Sequence, residues 1–451
     1  MRIIADVLNM RKVALHNLGC KVNSYETDAM EQMLAKAGYE IVKFGEELAD
    51  IYIINTCSVT NIADRKSRQM LHKAKKMNPD AVVIATGCYV QAEGENIQKD
   101  EAVDIVIGNN RKNDLLQVID NYYQDQNNNM ELIDINKEKE YEEMSIDSVY
   151  EHTRAYIKIQ DGCNQFCSYC IIPYTRGRVR SRDKAAVINE VKKIVENGYQ
   201  EVVLTGIHLS SYGIDQGEEE GLLNLICALN DIEGLKRIRL GSLEPRIVTE
   251  NFASTISKLD KMCPHFHLSL QSGCDATLKR MNRKYDTAEY YEKCELLRKY
   301  FDNPAITTDV IVGFPEETQE EFEITKEFLE KVHFYEMHIF KYSRRKGTVA
   351  DKMEKQVDDS VKNDRSKVLL QLEKKMSDEF RTQFIGATKA VLFEEEITIQ
   401  GKEYVVGHTM EYLKVILPLE NGNEAEQYIN KIINVSLEKV MEKGEILGFI
   451  K

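Results

Sequence analysis

A chain of 451 residues, 43% hydrophobic and 30% charged, has the composition of a soluble globular protein of two or three domains. No apolar run approaches the roughly 20 residues of a membrane span, and a net charge of −14 disfavours nonspecific nucleic-acid binding as a whole-molecule property. Ten cysteines without an export signal argue against disulfides and for metal or redox chemistry in a reducing cytoplasm.

The opening stretch is too short for a signal peptide and carries Asp6, so Met10 is an alternative initiator to Met1. From Arg11 short apolar runs alternate with amphipathic helices, the pattern of a parallel sheet with crossover helices. A strand at 13–15 ends at Gly19-Cys20, one at 51–54 at Asn55-Thr56-Cys57, one at 81–85 at Gly87-Cys88, and a fourth covers 103–107. Asn23 or Ser24 is expected to cap a helix to about Ala37, with Asn23 and Glu26 at capping-box spacing; a second helix covers 62–77 and stops at Asn78-Pro79. Cys20, Cys57 and Cys88 thus each follow a strand's carboxyl end, and in an open parallel sheet those ends share one edge. One such cysteine is ordinary core packing. Three at equivalent places favour a cluster site with three thiolates and one open iron. The domain is placed at 11–120, and the polar stretch 121–150 reads as a linker.

The central domain, 151–384, opens on a strand at 156–160 followed by Cys163-x3-Cys167-x2-Cys170. Closely spaced thiolates hold cubane iron–sulfur clusters, four thiolates normally serving four irons; three leave one iron open. A structural zinc knuckle or three buried cysteines are the bland alternatives, and zinc needs a fourth ligand where the nearest histidine is His152. Further strands at 201–205, 236–240, 266–270, 306–312 and 335–340 make six, which reads as a partial (β/α)6 barrel with its site at the strand carboxyl ends. That rim carries Thr205-Gly206, Ser242, Glu244, Gln271 and the run from Thr308 through Ile311 to Glu317. Glycine admits close backbone approach, while Ser, Glu and Gln suit a ribose or an amino group. Cys227, Cys263, Cys274 and Cys294 lack ligand spacing.

After about Arg381 five short strands in some seventy residues predict a small oligonucleotide-binding-type β-barrel over 385–451. Basic runs at 176–182, 279–284 and 341–346 follow barrel strands and are expected to meet RNA phosphates; salt-bridged surface is the alternative.

The Cys163-Cys167-Cys170 spacing after a strand resembles the radical SAM superfamily. The resemblance implies that this triad binds a 4Fe-4S cluster and S-adenosyl-L-methionine, with Thr205-Gly206 near the methionine amino group. It also implies that Glu244 and Gln271 lie among the sugar- and methionine-facing positions, and that Ile311 lies beside the adenine. The tail resembles a TRAM domain through Gly386, 391–395, Gly407-His408-Thr409 and Tyr412. Both triads, the partial barrel and the tail together resemble the methylthiotransferase family. The runs 18–26, 55–69 and 204–209 are most similar to its branch acting on tRNA threonylcarbamoyladenosine. That likeness implies two 4Fe-4S clusters, a radical that takes the hydrogen from carbon 2 of the adenine, and sulfur delivered by the Cys20-Cys57-Cys88 cluster. It further implies the tRNA anticodon loop as substrate and a flavodoxin- or ferredoxin-like electron donor, with sulfur source and oligomeric state open. The alternatives are a methylthiotransferase for isopentenyladenosine tRNA or a ribosomal-protein aspartate, and a non-catalytic iron–sulfur electron carrier.

Overall fold

Three open sheets and a closed barrel succeed one another along the chain in the computed structural model, which describes residues 11–124, 130–147, 153–419 and 425–450. The start at Met1 or Met10 and His152 lie outside the described residues. The first sheet has the order β2-β1-β3-β4-β5-β6, all parallel, with β1 Lys12–Asn17, β2 Glu40–Ile41, β3 Ile51–Thr56, β4 Val82–Gly87, β5 Ile105–Ile107 and β6 Met130–Glu131. β3 and β4 are buried along their whole length, as continuous apolar runs in a sheet covered on both faces should be. The helix Asn61–Met77 is half-immersed, burying Ser67, Leu71 and Ala74, and the Thr60 side chain caps it by accepting from the Ala63 N–H.

The helix Lys21–Lys36 departs from the expected capping box. It starts directly after Cys20 without a side-chain cap, so Asn23 and Glu26 lie inside it, both buried. Their polarity serves the neighbouring domain instead of the helix end.

The central domain is built on β7 Ala155–Asp161, β8 Arg180–Ser181, β9 Glu201–Gly206, β10 Arg237–Leu240, β11 His265–His267, β12 Ala305–Val312 and β13 Glu336–Lys341. One sheet runs β10-β9-β7-β8 and another β11-β12-β13, and the bridges Ile238↔Met262 and Leu243↔Leu268 join them. Apart from the antiparallel β8, the six strands form the expected open (β/α)6 arc. Ile157, Ile159, Val202, Leu204, Ile238, Leu240, Phe266 and Ile306 join the main apolar core. Strand alternation then turns Tyr156, Lys158, Gln160, Glu201, Arg239, His265, His267 and Asp309 to the other side, which is the concave interior. The interior is polar, unlike the apolar filling of a complete barrel.

The segment expected as a linker connects these sheets while packed against them: Ile135, Met144 and Ile146 are buried, and Ile146 N–H donates to Glu190 at 2.6 Å. Its few apolar residues are spent on that contact. The C-terminal strands β14 Thr388–Ile399, β15 Lys402–His408, β16 Lys414–Pro418, β17 Ile432–Val440 and β18 Ile446–Phe449 close a barrel of order β14-β15-β16-β18-β17. This barrel stoppers the amino-terminal mouth of the central arc. Arg237 donates to the His408 and Ala390 carbonyls at 2.9 and 2.8 Å, and Arg239 to those of Met410 and Thr409 at 2.9 and 3.2 Å. Between them sits Glu201, which burial alone would raise but which Arg239 holds down at a pKa of about 2.

One buried ion network ties the first sheet to the second. Glu26 pairs with Arg176, with Lys158 at 2.7 Å and with Lys112 at 3.2 Å; Asp161 pairs with Lys158 at 2.6 Å and Arg176 at 3.1 Å. Burial would raise the Glu26 carboxyl, but its three cations hold it well below the usual range. Removing one partner of a buried pair strands the others in a poor solvent. Glu26→Ala is therefore expected to lower stability by about 3–5 kcal/mol in chemical denaturation; a loss below about 1 kcal/mol would show the network to be slack.

Candidate cluster and cofactor site

Cys20 and Cys57 follow β1 and β3, and Cys88 begins the helix Cys88–Glu93 after β4. The parallel sheet brings them to its carboxyl edge. A Cβ on Gly19, whose φ is +110°, would lie 2.8 Å from the Cys57 sulfur, so this backbone needs glycine to let the first and second cysteines approach. Cys57 and Cys88 are buried and Cys20 is exposed. Burial, then the neighbouring Cys88, pushes the Cys57 thiol up to about 12. Arg176 Nε donates to Cys88 Sγ at 3.2 Å, and Asn109 Nδ2 reaches the same sulfur at 3.7 Å.

The second triad lies at the opposite end of Arg176. Its Nη1 meets Asp161, and Asp161 precedes Gly162 and Cys163. Gly162 has φ +72°, and a Cβ there would overlap the Arg178 carbonyl; the loop folds back on the chain that leaves it. Cys163 is raised to about 11 and Cys170 to about 12, chiefly by burial. Donors already face these sulfurs: Gln165 N–H lies 3.4 Å from Cys163 Sγ, and Arg283 Nη1 lies 3.3 Å from Cys167 Sγ. Met281 and Asn282 brace the loop from outside, Met281 O accepting from Ser168 N–H at 3.0 Å and Asn282 Nδ2 donating to Phe166 O at 2.9 Å.

These donor sets fit iron–sulfur clusters. Cys20, Cys57, Cys163 and Cys170, whose thiols burial raises, are poor anions alone and good ligands to a cationic cluster. N–H donors on the sulfurs are the outer shell such a cluster uses.

The rim residues fall on the arc around the second triad. Gln160 links them: its Nε2 donates to Asp161 O and Gly162 O at 2.6 and 2.7 Å, its Oε1 accepts from His208 N–H at 2.7 Å, and it abuts Gly206. Thr205 is buried beside it. Glu244 and His208 line a cavity of about 490 Å³ with Gln165, Ser210 and Arg246, and Glu244 Oε1 and His208 Nε2 are buried there without partners. Burial raises the Glu244 carboxyl, against the pull of Arg283. Gln271, at φ +74°, accepts from Ile311 N–H at 2.9 Å, and Ile311 packs near Tyr169 and Phe314. Ser242 is exposed on the rim.

The basic runs behave differently from the expectation of phosphate contacts. Arg176, Arg180 and Arg182 are buried, Arg182 pairing with Glu143 and Glu190; Arg178 alone of that run is exposed, its guanidinium 4.5 Å from the Phe166 ring centre. Arg280 pairs with Glu321, Arg283 serves Cys167, and Arg345 pairs with Asp64 on the first domain. Lys279, Lys284, Lys341, Arg344 and Lys346 keep exposed positions. The alternating run at 156–161 carried a readable signal for Lys158 and Gln160, since polar residues on every second position of a helix-covered strand must face the interior. Arg283 and His208 had no such signal.

Burial and then the charge of Arg283 lower His208 to a pKa of about 4. The folded protein thus keeps His208 neutral where the unfolded chain, near 6.5, takes up a proton, so its contribution to stability is present above about 6.5 and is lost as pH falls toward 4. An imidazole NMR titration of His208 is expected to have its midpoint near 4; an ordinary midpoint would contradict the enclosure.

Comparison with known proteins places these features. Residues 12–108 match the family described as Uncharacterized protein family UPF0004, and residues 157–329 match the Radical SAM superfamily. The chain is 41% identical over 432 residues to the Threonylcarbamoyladenosine tRNA methylthiotransferase MtaB of Bacillus subtilis, covering 95% of this chain and 94% of that protein. It is 35% identical over 427 residues to the tRNA-2-methylthio-N(6)-dimethylallyladenosine synthase of Finegoldia magna, covering 93% and 90%. Among solved structures it resembles the radical S-adenosylmethionine methyltransferase TsrM from Kitasatospora setae, with a TM-score of 0.55 at 15% identity over 87% of this chain and 81% of that one. No helix among the described residues is long and apolar enough to cross a membrane.

Proposed function

The chain belongs to the radical SAM tRNA methylthiotransferase family, and we propose that within it this protein converts N6-threonylcarbamoyladenosine at position 37 of tRNA to its 2-methylthio derivative. The observation that carries the reading is Arg176, one buried side chain that touches Cys88 and Asp161 and so sets both cysteine triads against a common polar interior. A carrier of electrons needs only one cluster and no such interior. The threonylcarbamoyl branch is favoured over the dimethylallyl one by similarity, relatives named for the first reaching 41% identity and those named for the second 37%.

In this reading Cys163, Cys167 and Cys170 hold one 4Fe-4S cluster, and Cys20, Cys57 and Cys88 the other. When bound, the clusters and S-adenosyl-L-methionine supply the electron, the hydrogen-abstracting radical and the sulfur that an unactivated C2–H bond requires. The rest is positioning by the chain. Gln160 fixes the cluster loop to the end of β9. Glu244, with a buried free oxygen, and Gln271 offer acceptors for amino and hydroxyl groups of the cofactor, and Ile311 an apolar edge for its adenine. Arg283 places a positive charge beside Cys167, which favours the reduced, more negative state of whatever that sulfur ligates. The anticodon loop is single-stranded, so a target base enters at little unstacking cost. A flavodoxin- or ferredoxin-like protein is the fitting electron donor.

Two outcomes test the division of labour. Cys167→Ala is expected to abolish cleavage of S-adenosylmethionine, whereas Cys57→Ala retains cleavage and loses sulfur transfer; normal product from either variant would refute its role. Nucleoside analysis of tRNA from a deletion strain is expected to show threonylcarbamoyladenosine in place of its methylthio form. Unchanged methylthio-threonylcarbamoyladenosine, with no second such enzyme in the strain, would sink the assignment, and loss of methylthio-isopentenyladenosine instead would transfer it to the other branch.

A further inference from the structure

Most of the positive charge inside the arc is answered. Arg239 is held by Glu201 and by carbonyls of the C-terminal barrel, Arg154 by Glu394, and His267 by Asp309 and Thr307. Lys21 is the exception. It follows Cys20 directly, the residue is partly open to solvent, and its ammonium lies 6.0 Å from the centre of the interior-facing Tyr156 ring. Arg154, Arg239 and His265 are near enough to interact with it electrostatically. Among the described residues no carboxylate pairs with Lys21 and no acceptor hydrogen-bonds it. His265 adds an independent sign. Its ring stacks on Tyr412 at 4.8 Å, it is 8% exposed, and its Nδ1 is buried without a partner. An unanswered cation and an unanswered buried ring nitrogen, facing the same recess, are the complement of a ligand that brings its own anion.

The geometry points to Lys21, with His265 below it, as the receptor for the carboxylate of the substrate's threonylcarbamoyl chain. This inference rests on the nucleoside proposed above. Carbon 2 and carbon 6 of adenine flank the same ring nitrogen, so a base whose carbon 2 is presented beside Cys20 carries its N6 chain into the recess that Lys21 borders. A carboxylate there gains a charge-assisted hydrogen bond. A dimethylallyl chain would cover the ammonium with hydrocarbon and leave it unpaired, so the same residue that accepts one chain rejects the other.

The test uses the full-length, cluster-loaded protein and three anticodon stem-loops, with threonylcarbamoyladenosine, its neutral methyl ester, or plain adenosine at the target position. The wild type is expected to bind the acid about 10- to 100-fold more tightly than the ester, the range of a hydrogen bond to a charged group. Lys21→Gln should bind acid and ester alike, and Lys21→Arg should restore most of the preference. A Lys21→Gln protein that keeps the wild-type preference overturns the assignment. So does a wild type that binds acid and ester equally while preferring both to adenosine. Equal binding of all three loops would instead overturn the proposed nucleoside.

Discussion

Glu26 is a carboxylate with no water and three cations, and the arrangement of both domains follows from keeping it satisfied. Lys112 comes from the first domain, Lys158 from the first strand of the arc and Arg176 from the segment that leaves the second triad. Each must arrive at the same point, and each brings a piece of the site with it: Lys112 holds Asn109 against Cys88, Lys158 fixes Asp161, and Arg176 touches Cys88 itself. Buried pairs of this kind add little net stability compared with apolar packing. Their cost when incomplete is large, so they select one relative placement of the triads over near alternatives.

That network also explains what the sequence concealed. The two cysteine triads, the six-stranded arc and the closed terminal barrel were legible because strand runs, cysteine spacing and turn residues are local signals. The destination of a charged side chain is not local. Arg176 read as part of a basic surface patch, and Asn23 with Glu26 as a helix cap, because Arg176 and Glu26 pair with each other across 150 residues of sequence. The reading of 121–150 as a linker had the same origin: a polar stretch with few apolar residues can still be packed when Met144 and Ile146 are the ones that count.

The arc is open where a full barrel would be filled, and its polar lining is the physical counterpart of that opening. Apolar side chains facing an unfilled recess would favour collapse or a greasy ligand. Charged and hydroxyl-bearing ones keep the space hydrated until a polar substrate displaces the water. The two ends of the recess are then unlike: at the top, sulfurs with N–H donors directed at them; at the bottom, arginines saturated by backbone carbonyls.

The way the terminal barrel closes that bottom end has a consequence for how the protein can be recombined. Arg237 and Arg239 hydrogen-bond to main-chain carbonyls of His408, Ala390, Met410 and Thr409. A tail that keeps this row of oxygens, a carboxylate for Arg154 and a ring at Tyr412 would seat equally well whatever its outward-facing sequence. The tail is therefore interchangeable in what it shows to solvent and indispensable in what it shows to the arc, so its outer face can be rewritten without disturbing the chemistry above.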